Sequence, residues 1–77
     1  MSARGTTELT DREKAVLELY VGGDALPAYA VAAKLQVGVA TVREHLKRAR
    51  VKLRRRGYVN VDDKIGLLQA WEAVKAD

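Results

Sequence analysis

The sequence predicts an all-α fold of four helices in a single small domain. Its 77 residues are rich in helix formers and include one proline and no phenylalanine, and apolar residues recur at helical spacing. A chain this short buries too little apolar surface to enclose a deep substrate pocket, so we expect no enzyme. It has no cysteine, and His45 therefore lacks thiol partners for zinc. We predict no cofactor and no metal.

The first helix is predicted to begin after Thr10 and to run to about Val21. Thr10 and Glu13 have the spacing of a capping box, in which each side chain bonds the backbone amide of the other residue. Apolar residues follow at spacings of three and four, which indicates one buried face. They are Val16, Leu17, Tyr20 and Val21, with Leu9 just ahead of the cap. Gly22-Gly23 ends the helix.

The second helix is predicted to start near residues 26–27 and to end at Leu35, because Pro27 fits only the first turn of a helix. Gln36-Val37-Gly38 then forms a tight connection, with Gly38 as the N-cap of the third helix. A connection this short forces the two helices to cross steeply, as in a helix-turn-helix.

The third helix is predicted from Val39 to Arg55. Its inner side carries the residues that we call the core stripe, at spacings of four, three and four: Val42, Leu46, Ala49 and Leu53. Eight basic residues and one acidic residue, Glu44, fall between positions 43 and 56, a net charge of +7 in a chain whose total is +4. We expect the basic residues to point away from the core stripe, towards a polyanion. The alternative is a merely solvated basic face.

Double-stranded DNA is therefore the predicted partner, with the third helix in the major groove. Arg43 and Lys47 are placed to donate to guanine, while Glu44 must accept from cytosine or be repelled by phosphate. Further residues are predicted to contact phosphates, namely Thr41, His45, Arg48, Arg50 and Arg54.

A fourth helix is predicted from about Val61 to Lys75, capped by Asn60 or Asp62 after a stop at Gly57. Its apolar residues span a wider arc than one core face requires, which favours a second, self-associating surface. The predicted dimer interface consists of Leu67, Trp71 and Val74.

Residues 1–7 are small, polar and aperiodic, and we predict a disordered tail or linker there, with the domain covering residues 8–77. The longest apolar stretch, residues 25–33, is much shorter than the ~20 residues that cross a bilayer. We therefore expect no membrane association and a cytoplasmic location.

Two segments, LTDREKAVLELYVGG and LPAYAVAAKLQVGVATVREHLKRARVKL, resemble the helix-turn-helix domain of LuxR/NarL-type regulators. The resemblance covers residues 9 to about 71, with Asp24-Ala25 inserted and Pro27 in place of a capping serine. It implies a four-helix domain, commonly the output domain of a response regulator, that binds DNA as a homodimer through the fourth helix. It also implies base contacts by Arg43, Glu44 and Lys47.

Two other interpretations remain open at this stage. The segment ATVREHLKRARVKLR is also similar to the terminal helix-turn-helix of sigma factors, whose partners would include RNA polymerase. The fourth helix argues against that interpretation, because the sigma domain usually finishes near its recognition helix. The other alternative is a protein-interaction module in which the basic helix binds an acidic protein.

Overall fold

The chain folds into four α-helices in a computed structural model that describes residues 8–76. They are α1 (Asp11–Tyr20), α2 (Ala28–Leu35), α3 (Val39–Arg55) and α4 (Lys64–Ala76). The described residues form no strand, and the all-α, four-helix prediction is confirmed. The tail predicted over residues 1–7 lies outside the described residues. Within residues 8–76, no helix combines the length and apolarity that a membrane crossing requires.

The N-terminus of α1 is closed by the predicted capping box. The Glu13 amide donates to the Thr10 hydroxyl oxygen at 3.1 Å, and the Thr10 amide donates to the Glu13 carboxylate at 2.9 Å. Two otherwise unpaired amides at the start of the helix are thereby satisfied. At the other end, the Val21 amide donates to the Leu17 carbonyl at 2.9 Å, so the predicted helix is confirmed at both ends.

Glu13 also forms a buried ion pair with Lys52 of α3. Its carboxylate lies 2.8 Å from the Lys52 ammonium, and the two side chains are only 3% and 15% exposed. The expectation that every basic residue of α3 points away from the protein is therefore wrong for Lys52. A buried carboxylate is costly without an opposite charge beside it, so Glu13 and Lys52 must stay in contact. Their contact links the start of α1 to the last turns of α3.

We predict that the stabilisation supplied by ionised Glu13 is lost in acid. Burial alone would raise the pKa of Glu13, but hydrogen bonds from Lys52 and Thr10 outweigh it and hold the pKa below its ordinary value of 4.5. A carboxylate with a lowered pKa stabilises the fold above its unfolded pKa and stops doing so as the pH falls through its folded pKa.

The measurement is the free energy of unfolding of the wild type and of Glu13→Gln between pH 7 and pH 3. The difference in the free energy of unfolding between the two proteins should be constant at neutral pH. It should begin to decrease near pH 4.5 and disappear below that pH. A difference that does not change with pH would contradict an ionised Glu13.

The α2–α3 connection turns through a left-handed residue. Gln36 has φ 58°, and the Val37 amide donates back to the Ala32 carbonyl at 3.0 Å, which closes a Schellman-type end of α2. Gly38 is the N-cap of α3, as predicted, but its own φ is an ordinary −77°. The residue with the unusual backbone is therefore Gln36 and not the glycine.

Helix α2 begins at Ala28, one residue later than predicted, with Pro27 as its N-cap. The Leu26 amide donates to the Leu19 carbonyl at 2.9 Å, so Leu26 belongs to the preceding loop. That loop includes Ala25, whose φ of 51° is uncommon for a residue with a Cβ atom.

Helix α3 has the predicted bounds, and its core stripe is buried. Each of the four side chains is at most 3% exposed. They pack with apolar residues of α1, of α2 and of the segments that flank α1 in one core: Leu9, Val16, Leu17, Val21, Val31 and Ala32. The buried stripe determines which side of α3 faces outward.

Helix α4 begins three residues later than predicted, and its cap is Asp63, not Asn60 or Asp62. An Asp63 carboxylate oxygen accepts from the Gly66 amide at 2.8 Å, and the Asp63 carbonyl accepts from the Leu67 amide at 3.0 Å. Val61 is fully buried in the connection between α3 and α4. The apolar residue that suggested a helix start is therefore a core residue of the loop.

Gly66 lies against this connection. A Cβ atom at position 66 would come within 1.7 Å of the Asn60 carbonyl oxygen. Real Cβ atoms do not approach oxygen so closely, so the loop can cross α4 at this point only because residue 66 has no side chain.

The side of α4 that was predicted to mediate dimerisation packs on α1 instead. Leu67 is fully buried and Trp71 is 5% exposed, and both belong to the chain's own core. The Trp71 indole donates to Glu18 at 3.0 Å, and Lys75 contacts the same oxygen at 3.2 Å. The hydrogen bond from Trp71, and to a smaller extent that from Lys75, lowers the pKa of Glu18 below 4.5. The assignment of Leu67 and Trp71 to a dimer interface is therefore corrected, and Val74 is half-buried beside them.

Candidate nucleic-acid interface

The outer face of α3 consists of four exposed residues in its first half: Arg43, Glu44, Lys47 and Arg48. The core stripe holds the opposite side of the helix against α1 and α2, so these side chains cannot turn inward without breaking the core. Arg43 and Lys47 form no hydrogen bond or ion pair with any described residue. Their donors are available to a ligand.

Glu44 and Arg48 form an ion pair on this face. The Arg48 Nε lies 3.4 Å from a Glu44 carboxylate oxygen, one turn of helix away. The side chain of Arg48 is 60% exposed and that of Glu44 is 53% exposed, so both remain accessible. An exposed pair of this kind contributes little to stability, about 0.3 to 0.5 kcal/mol. Its main effect is to place a positive charge beside the Glu44 carboxylate.

The N-terminus of α3 provides further donors. No side chain caps it, and its first turn contains no acidic residue. The unpaired amides and the positive end of the helix dipole therefore favour an anion there. Thr41, predicted to contact phosphate, is exposed in this first turn.

His45 lies at the edge of the interface. It is half-buried, and its Nδ1 is buried with no hydrogen-bond partner among the described residues. That nitrogen cannot reach a phosphate in this arrangement. The predicted phosphate contact through His45 would need the other ring nitrogen.

In the second half of α3, two predicted phosphate ligands contact the protein itself. The Arg50 Nε donates to the Val61 carbonyl oxygen at 3.0 Å. Arg54 forms an ion pair with Asp62. Both arginines hold the loop that leads to α4. This structural role was not predicted from the sequence, which indicated only phosphate contacts.

Arg55, by contrast, is exposed and makes no hydrogen bond or ion pair with any described residue. The cationic character of α3 is therefore divided along its length. The first half presents available cations around Glu44, and the second half combines Arg55 with arginines that brace the fold. Within residues 8–76, no group of three His, Asp or Glu side chains is placed to hold a metal ion.

The comparison with family models supports a helix-turn-helix domain, but not specifically the LuxR/NarL type. A family model described as Sigma-70, region 4 matches residues 7–55, which include α1, α2 and α3 and stop at the last residue of α3. Helix α4 lies outside the match. No curated protein and no solved structure gave a significant match to the chain.

Proposed function

This chain belongs to the Sigma-70 region 4 family of helix-turn-helix DNA-binding domains, and we propose that it reads promoter DNA with α3 in the major groove. One observation carries the proposal: α3 is buried along its core stripe and presents Arg43 and Lys47, without protein partners, on its exposed surface. A recognition helix needs both features, because one side packs against the core of the domain and the other side contacts DNA.

We assign base contacts to Arg43, Glu44 and Lys47. Phosphate contacts fall to Thr41, to the free amides of the first turn and to Arg48, which flank the base-reading residues. Arg54 keeps further N–H donors for a phosphate beside its ion pair with Asp62, because its side chain is 45% exposed and a guanidinium has five donors. RNA polymerase is the protein partner that this proposal entails.

Arg43→Ala is expected to weaken binding to the preferred sequence by about 1 to 3 kcal/mol and to relax the preference at one base pair. The reason is that a guanidinium can donate two hydrogen bonds to guanine O6 and N7, which no other base pair accepts equally well. Titration of the consensus duplex and its single-base variants, at one salt concentration, measures both effects.

The matched control is Arg55→Ala, which removes an exposed cation from the last turn of α3. We expect it to weaken all sequences alike and to reduce the salt dependence of binding by roughly one counterion. A base preference that survives Arg43→Ala unchanged would remove Arg43 from the base-reading set.

A LuxR/NarL-type regulator that binds DNA as a homodimer is the second candidate. Helix α4, which the family match does not include, favours it, because the resemblance to that class extended to about residue 71. Because Leu67 and Trp71 are buried in the chain's own core, a dimer surface on α4 would have to use the exposed Ile65 and the half-buried Leu68 and Val74.

Selection of bound sequences from a random DNA pool separates these candidates. An asymmetric consensus, together with co-purification of RNA polymerase, supports the sigma-type function. A two-fold symmetric consensus supports the homodimeric regulator. Failure to enrich any sequence would contradict both and would favour a basic helix that binds an acidic protein.

A further inference from the structure

Glu44 lies at the centre of the surface that would meet DNA. With 3.6 residues per turn, position 44 falls nearly opposite the core stripe, and Lys47 and Arg48 lie on either side of it. A carboxylate at this place would be repelled by the phosphates unless its charge were compensated and its oxygens bound to donors. Its position therefore calls for a specific hydrogen-bond partner.

Arg48 supplies the compensation within the protein. Its Nε approaches one carboxylate oxygen of Glu44, and the other oxygen has no hydrogen bond to any described residue. A guanidinium has five N–H donors, so Arg48 keeps several for a phosphate while it holds Glu44. Both side chains are more than half exposed, and a base edge can therefore reach the unbound oxygen.

The chemistry of the major groove limits what that oxygen can bind. Guanine presents only acceptors there, and thymine presents an acceptor and a methyl group. Adenine has an amino donor, but its N7 acceptor lies beside it and would repel a carboxylate. Cytosine presents an amino donor without that neighbour, so it is the base that a carboxylate selects.

We infer that Glu44 and Arg48 act as one recognition unit that selects a cytosine. Glu44 accepts a hydrogen bond from the cytosine N4 amino group, and Arg48 is a positioning residue that holds the carboxylate and binds a nearby phosphate. The inference rests on the proposed function, because it requires α3 in the major groove. It changes the expected role of Arg48, whose loss should alter base choice as well as affinity.

The test is a random-pool selection carried out with the wild type, Glu44→Gln and Glu44→Ala. The wild type should enrich cytosine at one position, preferred roughly 10-fold over other bases. Glu44→Gln should change the preference at that position to adenine, because a carboxamide pairs with adenine N6 and N7 together. Glu44→Ala should leave no preference there.

Arg48 is tested in the same selection. Arg48→Ala should relax the cytosine preference, and Arg48→Lys should restore part of it, because it keeps a positive charge beside Glu44. Arg55→Ala is the control, since it should lower affinity and leave the consensus unchanged. Circular dichroism of each variant checks that the exposed substitutions preserve the fold.

The possible failures are distinguishable. If the wild type enriches no sequence, the proposed function is overturned and this inference with it. If the wild type gives a consensus that both Glu44 variants leave intact, only the recognition unit is overturned. If Arg48→Ala behaves like Arg55→Ala, Arg48 has no positioning role.

Discussion

Replacing Lys52 with methionine is expected to lower the free energy of unfolding by about 3 to 5 kcal/mol. Methionine fills a similar volume, but it leaves the Glu13 carboxylate, 3% exposed, without its positive partner in the core. A domain of 77 residues has a total stability of roughly 4 to 12 kcal/mol, so this one charge supports a large share of it. Urea denaturation at pH 7, followed by circular dichroism, measures the loss.

The control for this prediction is Lys47→Met on the exposed side of the same helix. Lys47 has no ion pair among the described residues, so its replacement should change stability by no more than about 0.5 kcal/mol. The double variant Glu13→Gln/Lys52→Met should recover part of the loss, because it removes the uncompensated charge. Equal stabilities of the Lys52 and Lys47 variants would disprove the buried ion pair.

Gly66→Ala is expected to destabilise the protein by about 3 kcal/mol, at the upper end of the cost of overpacking. In an open helix the same change would stabilise by about 1 kcal/mol, because alanine has the higher helix propensity. The close approach of the Asn60 carbonyl reverses the sign, since the loop and α4 would have to separate to admit a methyl group. A thermal melt should show a fall of about 4 to 8 °C for each kcal/mol.

Gly23→Ala provides the comparison for Gly66→Ala. A Cβ atom at position 23 would meet no other atom within 4 Å, so this substitution should alter stability by at most about 0.5 kcal/mol. If Gly66→Ala melts at or above the wild-type temperature, the loop does not cross α4 as described.

Features that depend on local sequence were predictable. Helix α3 and its core stripe were predictable because apolar residues recur at helical spacing along the whole segment. The capping box of α1 was predictable from the spacing of Thr10 and Glu13. The burial of Glu13 also had a sequence indication, because it shares a helical face with Val16 and Leu17. Its partner had none, since Lys52 lies 39 residues away.

Features that depend on contacts between distant segments were missed. Val61 looks like the first apolar residue of a helix, but its place in the loop is determined by the core and by Arg50, which binds its carbonyl. Charge counting identified the basic segment without revealing that Arg54 already has a partner in Asp62. The wide apolar arc of α4 suggested a dimer surface, because the sequence does not show that Trp71 packs in the core of its own chain.

The core extends beyond the segment that defines the family. Fourteen apolar residues are buried in the described part of the chain, and four of them follow residue 55: Val61, Leu67, Ala70 and Trp71. A fragment trimmed to the family boundary would expose the side of α1 that α4 covers. The buried core is therefore longer than the family match, and we expect that a chimaera that transplants DNA specificity must exchange residues 8–76 as one piece.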